Sequence, residues 1–337
     1  MTVAGAGTDL ATELDTPREL AQVRSPSDTL FRGTATAVGT LVLVLTAAIG
    51  LFLGAQSIPT LHRYGLSFFT ENQWLPQQDV VGLSATLLGT LEVALVALVV
   101  GFPLAFMTAI YISEYAPAAI KGWLVSMIDL MAAVPSIIYG LWGFFFLQPQ
   151  TIHVSRWLAQ NLGWIPIFHV DTDPDSASWA QTKFTASAFI AGLAVSMMVI
   201  PLACAVMRGV FDQAPLGERE AALALGSTKW GMIRTVVIPF GQGGVIGGTM
   251  LALGRALGET VAVLLIISPA FDLKINILSV GTETTSALIA GLFGEASKAQ
   301  LSALLTAGFV LFVMTLAVNT VAAVFVNRSR SGAATEI

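Results

Sequence analysis

Two full charges, Arg255 and Glu259, sit four residues apart in the apolar, glycine-rich stretch GQGGVIGGTMLALGRALGETVAVLLII, Gly241 to Ile267. The stretch is long enough to cross a bilayer, and a charge at the bilayer centre costs roughly 2.5–3.5 kcal/mol on insertion scales. The pair therefore needs a partner or a function. Residues four apart share a helix face, so the spacing predicts an Arg255–Glu259 pair. Ala252, Gly248 and Gly244 continue that face within an arc of roughly 80°, at about 100° per residue. Ile246, Met250, Leu253, Leu257 and Leu264 form the opposite, greasy face. Gly244-x-x-x-Gly248 admits a second helix at close range, which turns the charged line towards protein or a water-filled cavity. The chemistry this suits is oxyanion recognition. A guanidinium offers a planar fork of donors and does not discharge by deprotonation. Glu259 then neutralises Arg255 in the empty site, orients it, or accepts a hydrogen bond from a protonated anion. The alternative is a structural tie between subunits.

The elements that would hold such a pair are membrane helices. Of 337 residues, 55% are hydrophobic and only 11% charged, against about 25% charged in a soluble domain. A net charge of −5 with no basic surface argues against nucleic acid. The single cysteine, Cys204, lies in an apolar run, which excludes an internal disulfide and suits a buried small side chain. His62, His153 and His169 are scattered and accompany no cysteine, so no metal site is expected. There is no H-E-x-x-H, no G-x-S-x-G and no acid–base cluster, so the chain is not expected to be an enzyme. No Gly-Lys dipeptide occurs and hence no phosphate-binding loop of the ATPase type, so any ATP hydrolysis would belong to a partner.

The hydropathy pattern predicts an all-α polytopic membrane protein with six spans, at about 34–55, 83–112, 123–147, 184–207, 241–267 and 301–326. Residues 1–33 form a polar tail, 34–326 the transmembrane domain and 327–337 a second tail. Pro135 is expected to kink the third span. Beside it Ser136 and Tyr139 either offer hydroxyls to a passing anion or simply pack. Glu92 in the second span is expected to join helices or lie near an interface. Residues 148–183, with Trp157, Trp164, Trp179 and the acidic run DTDPD, and residues 268–300 are expected to be loops. Ten of the sixteen lysines and arginines fall on the termini and the even loops, five on the odd loops, and Arg255 within a span. The positive-inside rule then places both termini in the cytoplasm.

The most basic loop, 208–239, reads as a helical hairpin. Pro215 suits a first turn, Glu218 and Glu220 the positive end of a helix, Gly226 a stop, and Ser227 or Thr228 a second cap. Pro239 marks the return to the membrane. Within it Glu220-Ala221-Ala222, three residues, Gly226, nine residues and Val236-x-Ile238-Pro239 resemble the EAA signature of ABC importer permeases. Valine and isoleucine replace the isoleucine and leucine usual there. The resemblance implies that Glu220, Ala221, Ala222 and Gly226 dock on a cytoplasmic ATPase.

A wider resemblance runs from the first span to the last. VPSIIYGLWG at 134–143, the aromatic loop at 148–183, EREAALALGSTKWGMIRTVVIP at 218–239 and GGVIGGTMLALGRALGET at 243–260 are similar to the C-type permeases of phosphate-specific (Pst) importers. This resemblance implies the ABC importer type I permease fold and a multi-pass position in the bacterial plasma membrane. It also implies a heterodimer with an A-type permease, an ATPase dimer that alone uses ATP, and an external phosphate-binding protein. Arg255, Glu259, Ser136 and Tyr139 become the candidate substrate pathway, and no cofactor is expected. A permease for another oxyanion, such as molybdate or sulfate, is the runner-up. An ion-coupled secondary transporter is the second alternative, opposed by the docking loop and by the lack of an evident inverted repeat.

Overall fold

A computed structural model of the protein describes residues 25–170 and 182–329. Most of the expected polar tail, the run at 171–175 and Trp179 lie outside the described residues, as does the end of the second tail. The chain divides into two units, Met1–Leu51 and Phe52–Ile337. The first is described as part of one helix, α1 (Pro26–Tyr64), which continues into the second and contains the apolar run at 34–55. A short α2 (Ser67–Thr70) leads to an antiparallel ribbon, β1 (Trp74–Leu75) and β2 (Val80–Val81), with Trp74 paired to Val81. Arg63 and the Tyr64 hydroxyl both reach Asp79 between the strands, at 2.8 Å and 2.7 Å. The Tyr64 hydrogen bond and the Arg63 guanidinium hold the Asp79 carboxyl below its usual range.

The bundle follows. Helix α3 (Ser84–Ile110) widens into a π turn, Tyr111–Tyr115, closed by the bond from Ala116 N to Tyr111 O at 2.8 Å. Helix α4 (Ala118–Ala133) ends at Val134–Pro135, and α5 (Ser136–Trp142) runs through a second π turn, Gly143–Leu147, into α6 (Gln148–Leu162). Helix α7 (Ala188–Phe211) precedes the hairpin of α8 (Leu216–Ala224) and α9 (Lys229–Met232). A third π turn, Ile233–Val237, joins α9 to α10 (Ile238–Leu257). The short α11 (Val261–Ile266) and α12 (Thr285–Leu292) come before the long α13 (Lys298–Ser329). Among the described residues five helices are long and apolar enough to cross a membrane. A sixth crossing is made if α4 and the segment from Ser136 to Leu162 count as one.

Four expectations are corrected. Pro135 does more than kink its helix, because the segments on either side meet at 90°. It lacks a donor and forces Val134 into extended backbone, ψ 129°. The supposed loop at 148–183 is helical to Leu162. The supposed loop at 268–300 contains α12 and buries Thr282 to Ser286. Pro239 turns nothing back: it follows directly on the π turn Ile233–Val237, whose shifted hydrogen bonding, Ile238 N–H to Ile233 O, precedes the proline, and the helical path from Lys229 to Leu257 is unbroken.

The core lies where α3 and α7 pack along their lengths, with α10 against α7, α3 and α13. Alanine and glycine allow it. A Cβ on Gly192 would stand 2.5 Å from the Val96 Cβ and 3.0 Å from the Val93 carbonyl. One on Gly140 would stand 2.8 Å from the Ala262 Cα, which is how closely α5 meets α11. Gly244 and Gly248 are buried as their spacing predicts, against Val210 and Met207 of α7. A Cβ on Gly247 would meet nothing within 4 Å among the described residues. Leu257, expected on the greasy face, is 1% exposed.

Overpacking a tight helix contact costs typically 1–3 kcal/mol. Gly192→Leu is therefore expected to lower the thermal unfolding temperature of the detergent-purified protein. Gly209→Leu, where a new Cβ meets open space, is expected to leave it within experimental error.

Candidate functional site

The helix carrying the two charges does not run straight through. It stops at Leu257, the backbone departs from helical form over Gly258–Thr260, and α11 restarts at Val261. Arg255 and Glu259 consequently form no ion pair within 4.0 Å, contrary to expectation from their spacing. Arg255 occupies the last turn of α10, where the exposed carbonyl ends favour a cation. Glu259 lies before α11, and its Oε1 accepts the Ala262 N–H at 3.3 Å. A carboxylate at the positive end of a helix is the complementary arrangement. The break thus gives each charge a helix end in place of the other charge.

Both residues line a concave cavity of about 680 Å³. Leu202 of α7, Leu251 and Gly254 of α10, and the break contribute one wall. The facing wall is α13, with Gly308, Leu311, Phe312, Thr315 and Asn319. Arg255 is exposed to this space, and its Nη2 touches the Met198 sulfur at 3.4 Å. Glu259 is 7% exposed, and among the described residues nothing hydrogen-bonds its Oε2. The Asn319 Oδ1 lies 3.2 Å from where a Gly254 Cβ would be, so the missing side chain leaves the amide room at the wall. The arrangement presents a forked cation, a carboxylate and an amide to one space, beside the Thr315 oxygen, whose hydrogen is donated to the Phe312 carbonyl at 2.9 Å. A guanidinium fork open to a cavity is chemically suited to holding an oxyanion.

A polar run, Thr282 to Ser286, supports the break from behind. The Ser286 hydroxyl donates to the Glu259 carbonyl at 2.6 Å, and so satisfies an acceptor that an unbroken helix would have used. Thr284 caps α12 by accepting from Ala287 N, and the Glu283 carboxylate accepts from Thr284 N. Thr285 N donates to the Thr90 hydroxyl at 3.0 Å, while the Thr285 and Thr86 hydroxyls lie 3.3 Å apart. The run is pinned to α3 beside Gly89, where a Cβ would overlap the Glu283 carbonyl. On its other side Glu283, Leu264, Gly291 and Leu304 help line a second cavity of about 630 Å³ with Trp74, Gln77 and Glu295. Glu92 is buried in α3, and its Oε1 has no hydrogen-bond partner among the described residues.

The remaining candidates lie elsewhere. Ser136 opens α5, and the Tyr139 hydroxyl donates to the Met131 carbonyl at 2.8 Å, across the corner at Pro135. Neither lines the Arg255 cavity. Glu220, Ala221, Ala222 and Gly226 are together on the hairpin. Glu220 and Ala221 are exposed, and Ala222 packs towards the core. Gly226 has φ +84°. Its N–H bonds to Leu223 O and that of Ser227 to Ala222 O, a left-handed helix stop that favours glycine. Thr228 caps α9 through the Gly231 N–H at 3.1 Å. Leu216, Leu223, Leu225 and Trp230 stand exposed around these residues.

Asn319, Thr315 and Ser286 were not singled out by sequence. A lone asparagine in LAVNTVAAVF was the available signal for the first, because an amide in an apolar span needs a polar surface to face. Ser286 had none, since its partner is a backbone carbonyl 27 positions away.

Residues 101–331 match the family described as the binding-protein-dependent transport system inner membrane component. The Mycobacterium tuberculosis protein named phosphate transport system permease protein PstC 2 is 39% identical over 297 residues, 87% of this chain and 90% of its own length. PstC of Pasteurella multocida is 38% identical over 89% of this chain and 91% of the relative. The probable PstC of Methanocaldococcus jannaschii is 35% identical over 86% and 90%. The chain belongs to this permease family, in its PstC branch. A bacterial ABC transporter that imports the acidic polysaccharide alginate has a chain of similar fold, with TM-score 0.55, 18% identity and coverage of 90% of this chain and 96% of that one. The permease is thus a multi-pass plasma-membrane protein with the type I ABC importer fold.

Hydrogen bonds inside membrane proteins contribute on average about 0.6 kcal/mol and at most about 1.7 kcal/mol. Ser286→Ala is expected to destabilise the permease by an amount in that range, measured by thermal unfolding in detergent. Ser279→Ala, at a side chain that bonds only to Asn276 three residues away, serves as the comparison.

Proposed function

We propose that the permease forms part of the translocation pathway for inorganic phosphate in an ATP-driven importer. The observation that carries this reading is Arg255 at the wall of the 680 Å³ cavity, without a carboxylate in ion-pair range among the described residues. An uncompensated guanidinium at bilayer depth is expensive unless it meets an anion or water. The names of the PstC relatives support phosphate as that anion. So does Glu259: phosphate near neutral pH still carries a proton that a carboxylate can accept as a hydrogen bond, whereas sulfate and molybdate do not. Arg255 would contact the anion directly and Glu259 its protonated oxygen, with Thr315 and Asn319 completing the wall. Ser136 and Tyr139 are at most a separate stretch of the path.

On this reading the hairpin of α8 and α9 docks on a cytoplasmic ATPase through Glu220, Ala221, Ala222 and Gly226. Both termini then lie in the cytoplasm. Its exposed leucines and Trp230 suit a partner cleft, and a rigid helix pair transmits a rigid-body movement better than a flexible loop does. The further partners are a second, A-type permease and an extracytoplasmic phosphate-binding protein. ATP is used in the ATPase subunit, and no cofactor is assigned to this chain.

The test is uptake of labelled phosphate by liposomes holding the assembled complex. Arg255→Gln is expected to leave assembly intact and to reduce uptake at least about a hundredfold, the effect of removing a strong charge-assisted contact. Uptake at the wild-type rate would make the cavity irrelevant to transport. Competition by molybdate or sulfate as strong as by unlabelled phosphate would favour the broader oxyanion reading. Uptake abolished by an uncoupler but indifferent to ATP would favour an ion-coupled carrier.

A further inference from the structure

The docking helix α8 has no buried residue, yet it is held to the bundle by charge. Arg219 places Nη1 2.9 Å from Oε1 of Glu114, with the two side chains 17% and 4% exposed. Its other terminal nitrogen, Nη2, donates to the carbonyl of Phe211, the last residue of α7. Glu114 belongs to the π turn that ends α3. One guanidinium therefore joins α8 to the ends of both α3 and α7.

The surroundings reinforce the joint. The Ser113 hydroxyl lies 3.1 Å from Glu114 Oε1 and 3.1 Å from Asp212 Oδ1. Lys121 of α4 pairs with Asp212 at 2.9 Å. From the other half of the hairpin, the Lys229 ammonium sits over the Tyr115 ring at 4.8 Å. Both helices of the hairpin thus hold the same turn, Tyr111–Tyr115. Such a turn has poorer hydrogen bonding than the α-helix around it, and it is often found at functional sites.

A guanidinium fork fixes direction as well as distance. Exposed ion pairs contribute little, but a shielded one resists separation because either partner left alone is a buried charge. A displacement of α8 must therefore carry the ends of α3 and α7 with it. Helix α7 supplies Leu202 to the Arg255 cavity and Met198 against Arg255 itself.

We infer that Glu114 and Arg219 are positioning residues of the transport cycle, the joint that delivers a movement of the docking helix to α3 and α7. The inference rests on the docking role proposed above. It adds a second mechanical route beside the helical path from Lys229 to Leu257. Neither residue touches the Arg255 cavity.

The experiment uses the assembled complex in liposomes, with inorganic phosphate and the phosphate-binding protein. ATP hydrolysis and phosphate uptake are measured together. Glu114→Gln keeps shape and removes charge. It is expected to retain the co-purifying ATPase and its basal hydrolysis, and to lower phosphate moved per ATP by about tenfold. Glu114→Asp, which keeps the charge, is expected to recover part of that loss. A phosphate-to-ATP ratio unchanged in Glu114→Gln overturns the inference. So does loss of the ATPase from the complex in both variants, which would make the pair an assembly tie. Trp230→Asp on the exposed docking face separates the two readings. If it leaves ATPase binding intact, the docking role fails and takes the joint with it. If it releases the ATPase while Glu114→Gln is silent, only the joint fails.

Discussion

A helix interrupted inside a bilayer leaves carbonyls and amides with no water to turn to, and each must find a protein partner. The interruption at Gly258–Thr260 meets that constraint with groups brought from a distance. Ser286 supplies a donor to the Glu259 carbonyl, and Glu259 supplies an acceptor to the Ala262 amide. Ser286 can do so only because Thr284 and Thr285 are themselves anchored, one at the start of α12 and the other on Thr90 of α3. The cavity and the exposed position of Arg255 both depend on this arrangement. In a continuous helix Arg255 and Glu259 would face one another a turn apart and neutralise the site they now open.

The same constraint explains which features were legible in sequence. Hydropathy located the spans, since length and apolarity are properties of the segment itself. The hairpin of α8 and α9 was legible because its punctuation is local: Gly226 stops one helix and Thr228 caps the next, through bonds spanning a few residues. The small face of α10 was legible through Gly244 and Gly248, whose spacing is their function. The break was not, because Gly258 in an apolar run is equally compatible with helix and the deciding hydroxyl is far away. Residues 268–300 were read as a loop because Lys274, Glu283, Glu295 and Lys298 break the apolar pattern, yet Thr282 to Ser286 are buried, with Thr285 against hydroxyls of α3. At Pro135 the residue was legible and the angle was not: a proline permits anything from a bend to a corner, and here the Tyr139 hydroxyl secures the corner. The Glu114–Arg219 pair joins positions that share no segment and leave no periodic trace.

Packing and polarity divide the work between the two faces of α10. Towards α7 its small residues bring the helices into contact at near backbone range. Towards α13 the same helix offers Gly254 and Arg255 to open space. The lack of a side chain therefore means close contact at Gly248 and vacancy at Gly254. Glycine content alone carries neither meaning, and the register relative to α7 decides between them.

The unbroken path from Lys229 to Leu257 has a geometric consequence. Its 29 residues at about 1.5 Å each make an arm roughly 43 Å long. Pivoted at its base, such an arm tilted by about 5° would sweep its far end sideways by about 4 Å, more than the width of an oxygen atom. Arg255 sits close to that far end, and the non-helical residues Gly258–Thr260 lie just beyond it. A small change of angle at the hairpin end would thereby be amplified at Arg255, and α11, which starts beyond the interruption, is not a continuation of the arm.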